Sequence, residues 1–302
     1  MNYTLHQLKV FAEVAKCGSI TKAAESLHMT QPAVSIQMKQ LQESVDIPLI
    51  EIIGKKLYLT EAGERLYSMQ QTIQEHEEAF QAYTSELKGG LTGNLSISAA
   101  STAKYFLPYL LGAFQKKYPK VKITLKVTNR DEVLQHLYDN KFQLAILTQL
   151  PDDSTIISNP FLINPLVMAC PPDHSLLNKK NLTLKDLKDE TFIFREPGSG
   201  TRMVMERLLK EAVIEPTIAM ELGTNEAVKQ AIMAGIGISL ISKLSMYSEL
   251  DTGTIDELHL KQFPVTTHWH TLYRKSKVNT RVIKNFLDFL QQDNLTDLLP
   301  SN

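Results

Sequence analysis

Leu5, Leu8, Phe11, Val14 and Ala15 recur at the three- and four-residue intervals of one helix face, and Gly18 follows the last apolar turn, where a helix stop is expected. Ser19 or Thr21 then caps a second helix carrying Ala23, Ala24 and Leu27, whose small alanines admit a close neighbour. After a polar turn at His28 and Met29, Thr30-Gln31-Pro32-Ala33 marks the start of a third helix. The threonine oxygen can accept from an orphan amide, and the proline sits in the first turn, where its missing donor is harmless. Val34, Met38 and Leu41 form its inward row, leaving Ala33, Ser35, Ile36, Gln37, Lys39 and Gln40 outward or to the side. Leu57-Tyr58-Leu59-Thr60 reads as a short strand behind a basic hairpin tip, Ile53-Gly54-Lys55-Lys56.

From Glu61 to Lys88 there is no proline, and the single glycine, Gly63, lies in the first turn, so one long helix is expected. Leu66, Met69, Ile73, His76, Phe80, Tyr83 and Leu87 step by three and four, the spacing of a coiled-coil seam, while Glu75, Glu77, Glu78 and Glu86 make the rest acidic. The simplest partner for the seam is the same helix of a second copy. Glycines at 89, 90 and 93 end the helix. Leu95, Ile97 and Ala99 then alternate as a strand, a helix runs from about Ala103 to Lys117, Val121 to Val127 alternate again, a helix carries Val133, Leu134 and Leu137, and Leu144–Leu147 forms a fully buried strand.

This alternation predicts an α/β fold built on a parallel sheet with helices on both faces. It restarts with Leu166–Cys170, Phe192–Phe194, a helix from about Arg202 to Ala212, Ile218–Leu222, a helix after Asn225 and Ile238–Ile241. A strand at Trp269–Tyr273 and a helix at Thr280–Gln291 return to the first lobe. The expected organisation is a winged helix-turn-helix at 1–60, a linker helix at 61–90 and a two-lobed effector domain at 91–302. Lobe I takes about 91–162 and 267–302, and lobe II about 163–266.

The 302 residues, 43% hydrophobic and 22% charged, fit an ordinary globular chain, and the net charge of −1 offers no global attraction to nucleic acid. Any DNA contact must come from local geometry. No secretory signal or apolar span is visible, so a cytoplasmic protein without membrane contact is expected. Cys17 and Cys170 lack metal-site spacing and read as reduced thiols, and no cofactor is expected. His136, His174, His259, His268 and His270 show no catalytic spacing, which argues against an enzyme. His268 and His270 flank Trp269 on a strand and share a sheet face.

A helix, a short turn and a capped helix match a helix-turn-helix whose second helix enters the major groove, although a plain helical hairpin has the same pattern. On a DNA-reading helix, the outward Ile36 packs on a thymine methyl while glutamine and serine side chains hydrogen-bond base edges. Lys55 and Lys56 would contact phosphate or form a solvated turn. In the effector region, Ser101-Thr102 and Gly198-Ser199-Gly200-Thr201-Arg202 stand at helix starts, where free amides attract anions, with Arg195 and Arg202 supplying charge and Asn225 as a third candidate cap. Read as plain caps, the same residues would carry no ligand.

Phe11-Ala12-Glu13-Val14-Ala15, Gly18 to Ala24, Thr30 to Ser35 and Leu59-Thr60-Glu61-Ala62-Gly63 resemble, in order and spacing, the N-terminal signature of LysR-type transcriptional regulators. The resemblance implies DNA contacts from Ser19, Thr21, Thr30, Gln31, Pro32, Ala33, Ser35, Ile36 and Lys39, with Lys55 and Lys56 in the wing. Ile50 replaces the usual phenylalanine, and Ile52 to Lys56 the usual arginine-containing wing. Ser101 to Phe106, Arg195 to Arg202 and Leu222 to Ala231 are similar to the effector domain of the branch that regulates carbon-fixation (RuBisCO) operons.

That similarity implies a periplasmic-binding-protein-like effector domain with ligand contacts at Ser101, Thr102, Thr148, Arg195, Gly200, Thr201, Arg202 and Asn225. The implied partners are double-stranded DNA at a dyad-symmetric promoter site, a small anionic metabolite, and further copies in a homodimer or homotetramer. Thr148-Gln149-Leu150-Pro151 lacks the arginine expected after the third strand, and Gln143 replaces an acidic residue. The rival reading is a two-lobed solute-binding or sensor protein without a DNA role.

Overall fold

Thr4 opens the first helix, α1 (Leu5–Cys17), by exchanging bonds with Gln7 in a capping box, and Gly18 closes it in the left-handed conformation. The computed structural model describes residues 3–54, 56–87, 90–275 and 280–299, and the chain divides into two units, Met1–Thr84 and Ser85–Asn302. In the first unit, Ser19 rather than Thr21 caps α2 (Ile20–Ser26), and Thr30 caps α3 (Gln31–Val45) with Pro32 in its first turn. Val34, Met38 and Leu41 face inward against Leu8, Phe11, Val14, Ala23 and Ala24, all nearly inaccessible to water. Each such large apolar side chain contributes about 1.5–3 kcal/mol of burial.

The strands β1 (Ile50–Ile53) and β2 (Lys56–Leu59) pair antiparallel, with Gly54 at positive φ in the tip. The helix α4 (Glu61–Leu87) follows without a break. Gly63 lets its first turn press on the chain before β1, since a Cβ there would lie 2.0 Å from the Leu49 carbonyl oxygen. The seam divides: Leu66 and Ile73 pack on the core of their own unit, whereas Met69, Phe80 and Tyr83 are exposed. The side chains of Glu75, Glu78, Glu86 and Leu87 lie outside the described residues. Lys9 pairs with Glu77 at 2.9 Å.

The second unit begins with β3 (Gly93–Ala100), a 3-10 turn over Ser101–Tyr105 and α5 (Leu107–Lys117). The helix expected from Ala103 therefore starts later. Pro108 has no amide to donate into a helix running through from 103, so the chain makes a separate turn and begins again at Leu107. Then come β4 (Val121–Thr128), α6 (Arg130–Tyr138), β5 (Leu144–Leu147), β6 (Ile156–Cys170), β7 (Thr191–Arg195), α7 (Gly200–Glu211), β8 (Thr217–Leu222) and α8 (Asn225–Met233). The chain ends with β9 (Ser239–Ser242), α9 (Tyr247–Asp251), β10 (Asp256–Leu258), β11 (Val265–Arg274) and α10 (Arg281–Phe289).

The sheet is mixed, not purely parallel. Its order is β10-β6-β11-β5-β3-β4, with β9 also on β6; β3 pairs parallel with β4 and β5, but β6 and β11 run antiparallel to each other. They are the outgoing and returning strands between two core regions, and a chain that leaves and comes back must reverse direction. One core gathers Phe106, Phe114, Trp269 and Phe286, the other Phe192, Phe194, Leu209 and Ile238. The sequence reading began this strand only at Leu166, whereas it starts at Ile156 and carries Pro160 and Pro165. Opposite Pro160 the register shifts between Trp269 and His270, which accommodates the missing donor.

Candidate functional site

On the first unit, α3 presents a partly pre-arranged polar row. Gln31 Nε2 donates to Ser35 Oγ at 2.9 Å, so two candidate base-reading side chains are held one turn apart. Thr30 is a cap first, its Oγ1 accepting from the Ala33 amide. Ile36 is 54% exposed, while Pro32 and Lys39 are exposed and Ala33 and Ser35 half-buried, so the outward face foreseen for this helix does face water. Lys39 pairs loosely with Glu43 at 3.8 Å, and Ser19 serves α2 through the Lys22 amide, with Thr21 exposed beside it. Lys56 is exposed at the start of β2; Lys55 lies outside the described residues.

On the second unit, the 3-10 turn after β3, the end of β5 and the start of α7 close around a small cavity of about 30 Å³. Six of the expected effector residues line it: Ser101, Thr102, Thr148, Arg195, Gly200 and Thr201. The close packing rests on Gly200, where a Cβ would come within 2.8 Å of Thr148 Oγ1. No side chain caps α7, so its first amides and the positive end of its dipole remain for an incoming acceptor.

Arg195, the last residue of β7, is only 4% exposed and is held on every side. Its Nε and Nη2 donate to the two Glu196 oxygens at 2.7 and 2.8 Å, Nη2 donates to Ser101 Oγ at 3.1 Å, and Nη1 donates to Asn225 Oδ1. Asn225 is therefore not the cap of α8. Thr224 takes that task through the Ala227 amide, and Asn225, buried one position later, bridges Arg195 to Ser245 Oγ. Arg202 also departs from expectation and is not among the residues lining the cavity. It pairs with Glu206 and Glu221, donates to the Arg195 carbonyl and lies over the Phe194 ring, so α7 projects it along the outside of β7 and β8.

The cavity walls also include Ser199, from the glycine-bearing loop, and Arg130, Asn164, Glu196 and Trp269, which sequence reasoning missed. Arg130 is the second cation. Its Nε donates to the Gln149 carbonyl at 3.3 Å, and Asp131, an exposed carboxylate 3.6 Å away, is a weak counter-charge. A signal for it did exist, because an arginine directly after the Asn129 cap places positive charge at the positive end of a helix dipole, where an acid is the favourable choice. Trp269, 1% exposed, has an indole Nε1 with no acceptor among the described residues, an orphan donor in the wall of the cavity.

His268 and His270 lie on β11 with ring centroids 6.5 Å apart, and burial, then the His268 charge, lowers the His270 pKa. No cluster able to hold a metal ion occurs among the described residues, and no described helix is long and apolar enough to cross a membrane. A larger cavity, about 610 Å³, lies between β6 and residues 290–299 with mainly apolar walls. It lacks the convergence of two arginines and a helix start that gives the smaller one its chemistry.

Residues 5–64 match the model of the bacterial regulatory helix-turn-helix protein, lysR family, and residues 88–294 match that of the LysR substrate binding domain. The chain is 42% identical to the HTH-type transcriptional activator CmpR of Synechocystis sp., over 96% of this chain and 95% of that protein. It is 40% identical to the RuBisCO operon transcriptional regulator of Acidithiobacillus ferrooxidans, over 95% and 93%. Among solved structures, the Synechocystis CcmR regulatory domain in complex with 2-PG matches with a TM-score of 0.63 and 37% identity, covering 66% of this chain and 95% of that domain.

Proposed function

The chain belongs to the LysR family of transcriptional regulators, and on that footing we propose that α3 reads a dyad-symmetric promoter site while the Arg195 cavity senses a small phosphorylated anion. The observation that carries the effector half is the convergence of Arg195, Arg130 and the uncapped start of α7 on one crevice. A guanidinium fork, a second cation and free backbone amides are the donors that a phosphate or carboxylate requires. Ser101, Thr102, Thr148, Gly200 and Thr201 line the same space and supply the remaining polar contacts, while Asn225 orients Arg195 from behind. The complex of the related CcmR domain with 2-PG, 2-phosphoglycolate, supports this ligand class.

In the DNA half, Gln31, Ser35 and Ile36 approach base edges from the exposed face of α3, and Thr30, Lys39 and the wing Lys56 hold the backbone. Two copies joined through the exposed Met69, Phe80 and Tyr83 of α4 would deliver two such helices to the half-sites of one dyad. The protein acts in the cytoplasm and catalyses no reaction; its output is a change in DNA occupancy or geometry.

DNase I footprinting of the full-length protein on promoter fragments selected from its genome, with and without millimolar 2-PG, tests the reading. A protected dyad whose extent changes with 2-PG is the expected result. Protection insensitive to phosphorylated and carboxylate metabolites alike would remove the effector assignment, and the absence of specific, salt-sensitive protection would remove the DNA assignment.

A further inference from the structure

Arg195 already grips an anion. Its contact with both oxygens of Glu196 is the two-pronged geometry in which a guanidinium holds a carboxylate most firmly. Asn225 and Ser101 take further N–H groups. Four of the five guanidinium N–H donors are thus engaged. An anion that takes Arg195 in a two-pronged contact therefore has to displace one of the present partners. Asn225 is 4% exposed and tied to Ser245, whereas the Glu196 side chain is 25% exposed and has solvent to turn into. Two anions crowded on one guanidinium also repel each other, which drives the same exchange.

Resting on the reading of the cavity as an anion sensor, we propose that Glu196 is an internal competitor whose carboxylate lowers the site's affinity for every incoming anion, setting a threshold that doubly charged phosphoryl ligands exceed and simple carboxylates do not. Glu196 is the next residue in the chain after Arg195, so its carboxylate is presented at high effective concentration. A carboxylate ligand brings the same two oxygens and the same single charge, and loses translational freedom besides, so the exchange gains it nothing. A phosphoryl group brings close to two charges and three acceptor oxygens. It can engage Arg195, Arg130 and the α7 amides together, which Glu196 cannot. The attractive contacts discriminate between ligands, and the built-in rival sets the affinity below which an anion does not bind.

Calorimetric titration of the full-length wild type, Glu196→Gln and Glu196→Ala with 2-PG and with succinate, a dicarboxylate of the same chain length, tests this. The wild type is expected to bind 2-PG and to bind succinate at least about tenfold more weakly, and both variants to gain about tenfold in affinity for each ligand. Unchanged affinities, or a parallel weakening of both ligands, would show that Glu196 supports Arg195 and does not compete for it. Wild type and variants that bind neither ligand would overturn the anion-sensing reading together with the competitor. Wild-type binding of 2-PG with no gain in affinity in the variants would overturn the competitor alone. A crystal structure of the wild type with 2-PG gives a second readout independent of any variant's folding: Glu196 swung away from Arg195 is expected, and Glu196 still in its two-pronged contact beside the bound anion would overturn the proposal.

Discussion

The Tyr105 hydroxyl donates to the Glu226 carboxylate, tying the 3-10 turn behind β3 to the first turn of α8. Lys104 and Lys229 also approach Glu226, at 3.6 and 3.3 Å, and the nearly buried Lys229 reaches on to Glu249 at 2.7 Å. Burial raises the Glu226 pKa, but the Tyr105 bond and the Lys229 charge outweigh it, and the net shift is downward. Burial, then the same bond, raises that of Tyr105. A depressed carboxylate contributes stability that is present above its unfolded pKa and lost as pH falls through the folded one. Thermal melts between pH 7 and 3 should therefore show the wild type losing an acid-sensitive increment that Tyr105→Phe has already lost in part. Parallel melting curves for the two proteins across that range would contradict the tie.

Arg130→Gln should weaken 2-PG binding by about tenfold to a hundredfold, the loss expected for a hydrogen bond to a charged group, without lowering the melting temperature. Calorimetry measures the first and differential scanning fluorimetry the second. Retained affinity would leave Arg195 as the cavity's sole anion-binding cation.

Gly63→Ala places a methyl against the Leu49 carbonyl, where a Cβ has only 2.0 Å. Forcing that carbonyl aside should cost about 1–3 kcal/mol and shift α4 from the wing, lowering both the melting temperature and DNA affinity. A variant as stable as wild type would mean that the wing moves aside freely.

On DNA, Lys56→Ala should weaken binding uniformly across sequences and reduce the slope of log K against log salt by about one, the signature of a lost phosphate contact. Ser35→Ala and Ile36→Ala should instead change which base pairs are tolerated, at roughly 1–3 kcal/mol for a lost base contact. Electrophoretic mobility shifts over a salt series and a site library separate the two behaviours; a Lys56 variant with altered sequence preference would reverse the assignment.

Burial pushes the Cys170 thiol up to about 12, so the reactive thiolate is almost absent near neutrality. Iodoacetamide at pH 8 should leave Cys170 unmodified in the native protein and alkylate it in denaturant, as mass spectrometry of the peptides would show. Rapid native labelling would mean that this core opens readily.

Repeating apolar positions and caps determined the local architecture. Val34, Met38 and Leu41 needed only their spacing to define the buried side of α3, and Thr30 and Pro32 needed only their position to begin it. The glycine-bearing loop before Arg202 likewise pointed to the start of α7. What the sequence left open involves residues far apart in the chain. Arg202 and Asn225 had the right chemistry, yet helix phase sends the first outward to Glu206 and Glu221 and a shift of one position turns the second into a support for Arg195. Trp269 and Arg130 reach the cavity because β11 and α6 bring them beside β3 and β5. Periodicity records which face of an element meets water, a property of neighbours in sequence; which side chains converge on one cavity depends on strand order and register, which only the folded sheet sets.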